Sequence, residues 1–194
     1  MTWTDFKKKH QLCAKAITYI DDLGLEDCSE IIKALREDGE RWWTIWGLTR
    51  LLTGSRPVSW AIFSAELVVP IYEAQRPNDP GPRQALEAAK RNIRYIPDVN
   101  PANCIACVAA DTDSQDTIDD YVRLQAAHAT MFATCAAASY VAYAWSYMDS
   151  HTDPCVNAVV AATKAAHYAG VRHINKIILD EGMRLLKEQS ESLT

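Results

Sequence analysis

The sequence predicts an all-α protein, a compact single-domain bundle of about 7–9 helices around an Ala-rich central helix. Three observations lead there. No segment sustains the period-two alternation of a half-buried strand. Apolar residues recur instead at spacings of three and four, as in Trp60, Phe63, Leu67 and Ile71. Prolines and glycines fall between these periodic runs, most densely in "PNDPGP", residues 77–82. At 194 residues, 48% hydrophobic and 23% charged, the chain has the composition of one globular domain able to bury a core without staples.

Taken in order, Thr4 is the expected N-cap of a helix reaching about Asp22, with Gly24 as its stop. A second helix is expected from about Asp27 to Asp38, ending at Gly39. "ERWWTIWGLTRLLTG" follows, in which Trp42, Ile45, Trp46 and the leucines up to Leu52 supply apolar bulk before Gly54. The next helix carries the Trp60–Ile71 stripe and contains Pro70, which cannot donate to the carbonyl of Glu66 and is expected to kink it. Pro77, Pro80 and Pro82 then impose an extended corner. Asp79 or Gly81 can cap the helix beyond, with Pro82 in its first turn, where a missing N–H costs nothing. Ala85, Leu86, Ala88, Ala89 and Ile93 form its inner side, and Arg83, Lys90 and Arg94 lie on another.

"IPDVNPAN" after Tyr95 separates an aromatic-rich half (1–95) from an Ala-rich half (101–189) of the single domain 1–194. Further helices are expected over about 101–110, 117–148, 155–169 and 171–189. Of the 28 alanines, 19 fall between Ala102 and Ala169, which lets helix axes approach closely. Leu124 to Trp145 carries no Asp, Glu, Lys or Arg and is long enough to span a bilayer. It is mostly Ala, Ser, Thr and Tyr with His128 inside, so a buried helix of a bundle is the expectation and a membrane span the alternative.

The net charge of −5 and a pI near 5.5 argue against a duplex-DNA binder and favour a basic protein partner. Charges interrupt the first twenty residues, so no export signal is read there and the expected location is the cytoplasm. The six cysteines are then expected as thiols, most of them small buried apolar groups.

Candidate chemistry is sparse. "CIAC" spaces Cys104 and Cys107 as zinc ligands, which His151 and Cys155 can complete. A redox pair would need a strand-to-helix setting, and two buried thiols on an Ala-rich helix is the plainer expectation, with no metal or cofactor. "DTDSQDTIDD" gathers Asp111, Asp113, Asp116, Asp119 and Asp120, but it lacks the Gly and Glu of an EF-hand loop. These carboxylates suit an acidic helix start, or a patch that steers a basic partner. Arg83, Lys90 and Arg94 form a solvated face or, alternatively, the site of a small anionic nucleotide ligand. Trp42 and Trp43 diverge by about a hundred degrees on a helix. One of them is therefore a candidate exposed anchor, unless both seal the core with Trp46. His128, His167 and His173 show no nucleophile–base arrangement, and His167 is expected as a hydrogen-bonded core histidine. No residue set indicates catalysis, so the chain is expected not to be an enzyme.

"SAELVVPIYEAQRPNDPGPRQALEAAK", residues 64–90, resembles the immunity-protein-five-like family of helical proteins, which includes phage-borne members. The residues carrying the likeness are Ala65, Glu66, Pro70, Ile71, Tyr72 and Glu73, then Asp79, Pro82, Arg83, Ala85, Leu86, Glu87, Ala88 and Ala89. "EDGERWWTIWGLTRLL" is similar to the aromatic helix of those phage-borne members, and "ATKAAHYAGVRH" fits the same style. The resemblance implies a helical protein that neutralises a toxin by binding it, and it implies no catalytic residues. The expected function is thus a toxin inhibitor acting by occlusion, immunity-like or phage-encoded. The alternative is a phage anti-defence protein that sequesters a nucleotide between helices.

Overall fold

A computed structural model of the protein describes residues 1–94, 118–141 and 153–192. These residues form nine helices: α1 (Trp3–Lys9), α2 (Ala14–Leu23), α3 (Cys28–Glu37), α4 (Arg41–Leu51), α5 (Arg56–Gln75), α6 (Gly81–Arg94), α7 (Ile118–Val141), α8 (Pro154–Tyr168) and α9 (Arg172–Glu191). Among the described residues there is no strand, only one isolated antiparallel bridge between Thr2 and Asp27. None of the described helices is long and apolar enough to cross a membrane. The expected helix over 101–110 and the ends of the one over 117–148 lie outside the described residues.

The centre of the bundle is α5, α7 and α8, each packed against the other two. Ala61 and Ala65 of α5, Ala126 and Ala129 of α7, and Ala158 and Ala162 of α8 are all fully buried. The buried hydroxyls of Ser64, Thr130 and Thr163 are satisfied within their own helices. Ser64 donates to the carbonyl of Trp60 at 2.8 Å and Thr163 to that of Val160 at 2.9 Å, so neither strands a polar group. Helix α6 covers α5 and α7, while α9 closes over α4, α5 and α8.

Local signals set most helix ends where the sequence places them. Gly24 (φ 65°) stops α2 in the left-handed conformation that Gly adopts at least cost. The Asp27 carboxylate accepts the N–H groups of Ser29 and Glu30 at the start of α3. Asp79 organises the proline corner: its Oδ1 accepts the Gly81 N–H at 2.9 Å and its Oδ2 accepts the Tyr72 hydroxyl at 2.5 Å. Together these tie the end of α5 to the start of α6. Pro70 sits at an exposed position inside α5, which continues to Gln75.

Two expectations are corrected. The single helix from Thr4 to Asp22 is two, with Thr2 as the N-cap of α1 and an extended break at His10. The break lets α1 turn Trp3 and Phe6 into the core, where Phe6 meets Trp46 edge-on at 5.8 Å. The second correction concerns α5. Trp60 is in the core, but Phe63, Leu67 and Ile71 are only partly buried, while Val58, Ala61, Ala65, Val68 and Val69 are enclosed. Helix α5 is surrounded by α6, α7, α8 and α9, so most of its circumference is buried and no single stripe describes it.

Three long-range contacts lock α9 in place. The Trp60 indole N–H donates to the carbonyl of Ile178 at 2.7 Å, in a crossing made possible by Gly182. Gln189 accepts the Thr53 N–H at 2.7 Å and donates to the carbonyl of Leu51 at 2.9 Å, closing the end of α4. Arg36 of α3 pairs with Asp180. A fourth contact joins α4 to α8: Arg50 donates to Asp153 at 2.7 Å, and Asp153 is only 1% exposed.

Candidate binding surface

Helix α4 sorts its tryptophans by angle. Trp46 turns inward, against Phe6 and, at 6.1 Å, the ring of His10, with the Arg50 guanidinium 5.6 Å from its centroid. Trp43 is half-buried beside Tyr19, their ring centroids 5.3 Å apart, and Lys15 Nζ lies 5.8 Å from the Trp43 centroid. Trp42 points away and is 44% exposed. Trp43 and Trp46 therefore cover the core, and Trp42 does not. Behind them Trp3, Ile31, Leu35 and Gly47 help line an apolar cavity of about 30 Å³, room for roughly one water and no ligand.

The ground under Trp42 is fixed. Arg36, six residues earlier, pairs with Asp180, and Lys176 joins the same carboxylate at 2.7 Å. This bridge ties the α3–α4 corner to the face of α9 that carries Ile177, itself 40% exposed. Asp180 is held below the usual carboxylate range by its hydrogen bond to Lys176 and the nearby Arg36 charge.

The basic stripe is compensated. Glu73 takes Arg83 in a two-pronged bond at 2.8 and 2.6 Å, and Lys90 pairs with Glu66 and, at 2.8 Å, with Glu87. The Arg83 hydrogen bond holds the Glu73 carboxyl low, and the Glu66 bond raises Lys90. Arg91 is exposed, and Arg94 ends α6 with its side chain outside the described residues. A groove of about 520 Å³ between α5 and α6 brings Lys90 and Phe63 together with Glu66 and Glu87, without Arg83. Sequence reasoning missed the carboxylates, although a signal exists. Glu66 and Glu73 stand seven residues apart, as do Arg83 and Lys90, matching two turns on each arm of an antiparallel pair.

Of the acidic stretch, Asp119 is exposed in the first turn of α7, and Asp120 lies beside it with its side chain outside the described residues. Asp111, Asp113 and Asp116 lie outside the described residues, as do Cys104, Cys107 and His151. Cys28 and Cys155 are buried thiols, Cys28 pushed up to about 11 by burial, whereas Cys13 is exposed. His128 is half-buried and lowered by that burial and by Lys164. His167 is not the core residue expected: it is exposed, packed edge-on to Tyr168 at 5.2 Å, because it lies on the solvent side of a turn whose Ala165 and Ala166 face the core. His173 is exposed as well.

His10 was not singled out from the sequence, because its environment is made by α4. Burial, then the charges of Arg50 and Lys9, lowers its pKa from 6.5 to about 4. Above pH 6.5 neither folded nor unfolded chain holds the proton. Below it the unfolded chain gains the proton first, so this residue erodes stability as pH falls towards about 4, where the folded form protonates too. His10→Phe is expected to flatten the decline in urea midpoint between pH 6.5 and 5. A decline equal to that of the parent protein would show that His10 does not cause it.

Comparison with family models, with curated proteins and with solved structures finds no match to this chain.

Proposed function

We propose that this protein is a non-enzymatic binding domain that neutralises a basic protein partner by occlusion, in the manner of an immunity protein or a phage-encoded inhibitor. The observation that carries the reading is Trp42. It is a large aromatic side chain, 44% exposed, at the start of a helix whose next turns are buried and whose corner is pinned by Arg36 and Asp180. Exposed Trp on a rigid element is the side chain most often found as an interface anchor, since it brings much area at little cost in conformational freedom. Ile177, one turn before Asp180 on α9, is a second exposed apolar side chain, and Asp119 with the net charge of −5 favours a basic partner. The resemblance of residues 64–90 to immunity-like proteins agrees with this reading. A tight inhibitor needs about 1,600 Å² of total interface, within reach of a domain of this size.

Capture of an anionic nucleotide has less support, because Arg83 and Lys90 already hold carboxylates and an anion would have to displace them. The test is capture of the partner from host lysate, followed by binding kinetics. Trp42→Ala is expected to weaken binding about tenfold, mainly through faster dissociation, with the circular dichroism spectrum unchanged. Unaltered kinetics would remove Trp42 from the interface and the reading with it.

A further inference from the structure

The aromatic corner next to Trp42 has a chemistry of its own. The Tyr19 and Trp43 rings meet at 53°, leaving a face of Trp43 towards Lys15. The Tyr19 hydroxyl donates to Asp38 Oδ2 at 2.7 Å. That hydrogen bond, then burial, and after these the charges of Asp38 and Glu40 hold the Tyr19 phenol above its usual range, so both carboxylates act on this corner. A negative ring face edged by two carboxylates attracts a cation, through the ring quadrupole and through ordinary Coulomb attraction. A cation is already there. Lys15 is exposed and, among the described residues, forms no salt bridge; the ring of Trp43 is the contact that holds it.

Resting on the docking surface proposed above, we infer that this corner is a recognition site for an arginine side chain of the partner, with Lys15 as the stand-in cation of the free protein. A guanidinium suits it better than an ammonium. Its plane can stack flat on the Trp43 face while its edge donates to the Asp38 carboxylate, and it gives up its hydration more readily than an ammonium does. Lys15 sits at the second position of α2 on a flexible stem, so it can swing into water when a stronger cation arrives.

The test titrates N-acetyl-arginine amide into the full chain and follows the tryptophan indole N–H resonances, with the neutral isostere N-acetyl-citrulline amide as control. The Trp43 resonance is expected to move with the arginine compound and much less with citrulline. Lys15→Gln, which removes the competing cation from an exposed position, is expected to tighten arginine binding about two- to fivefold. Asp38→Asn is expected to weaken it by a similar factor. An equal response to both compounds, or an arginine affinity unchanged in Lys15→Gln, would overturn the inference. The two readings fail separately. An arginine response with no effect of Trp42→Ala on the partner keeps this site and removes the docking surface. The reverse pattern keeps the docking surface and removes this site.

Discussion

Asp153→Ala is expected to lower folding stability by about 3–5 kcal/mol, the scale for removing one partner of a buried charge pair. The carboxylate does two jobs at once. Its Oδ1 accepts the N–H groups of Cys155 and Val156, at 2.9 and 3.3 Å, which caps α8, and its Oδ2 takes Arg50 at 2.7 Å. With the side chain of Arg50 only 16% exposed, truncating Asp153 leaves a guanidinium with little water and no counter-charge. Urea denaturation measures the loss, which should move the midpoint with the slope unchanged. Arg50→Met combined with Asp153→Ser should cost less than Asp153→Ala alone, since Ser keeps a cap and no charge is stranded. If Asp153→Ala costs under about 1 kcal/mol, the pair does not join α4 to α8 in any energetic sense.

Gly182→Ala should also destabilise, by about 2 kcal/mol, against the helix preference that favours Ala over Gly by about 1 kcal/mol. A Cβ at this position would stand 2.7 and 2.8 Å from two ring carbons of Trp60 and 3.0 Å from Leu48 Cδ1. Trp60 cannot step aside, because it is fully buried and its N–H is held by the carbonyl of Ile178. Trp60→Phe removes the ring carbons that collide, so the double variant should be more stable than the sum of the two single losses implies. Strict additivity in thermal or urea unfolding would mean that the two residues do not share this crossing.

What the sequence discloses and what it withholds divides by the range of the interaction. Asp27, Gly24, Gly39 and the Asp79 corner act within a few residues of where they stand, and each terminates or starts a helix as the local pattern predicts. The break at His10 does not follow from local pattern, because it turns Trp3 and Phe6 into a core where Phe6 meets Trp46, forty residues away. The buried faces of α5 were likewise decided by four neighbouring helices. For the candidate surface, helical geometry shows that Trp42 and Trp43 diverge, but only the positions of α1, α2 and α9 decide which of them reaches water. The carboxylate partners of Arg83 and Lys90 lay between these cases. Their matched seven-residue spacing is visible once the corner is known to fold the two helices back on one another.

The contacts that lock α9 have a consequence for how the chain is made. Arg36, Thr53 and Trp60 all wait for groups between Ile178 and Gln189. Synthesis at about 5–20 residues per second puts on the order of ten seconds between the two. During that interval the nascent amino-terminal helices have an indole without its acceptor and an apolar side of α4 and α5 without its lid. Helix α9, made well after α4 and α5, is thus the one that seals them, and a chain released before about Ile178 would carry that open side into the cell, where it invites aggregation or capture by chaperones.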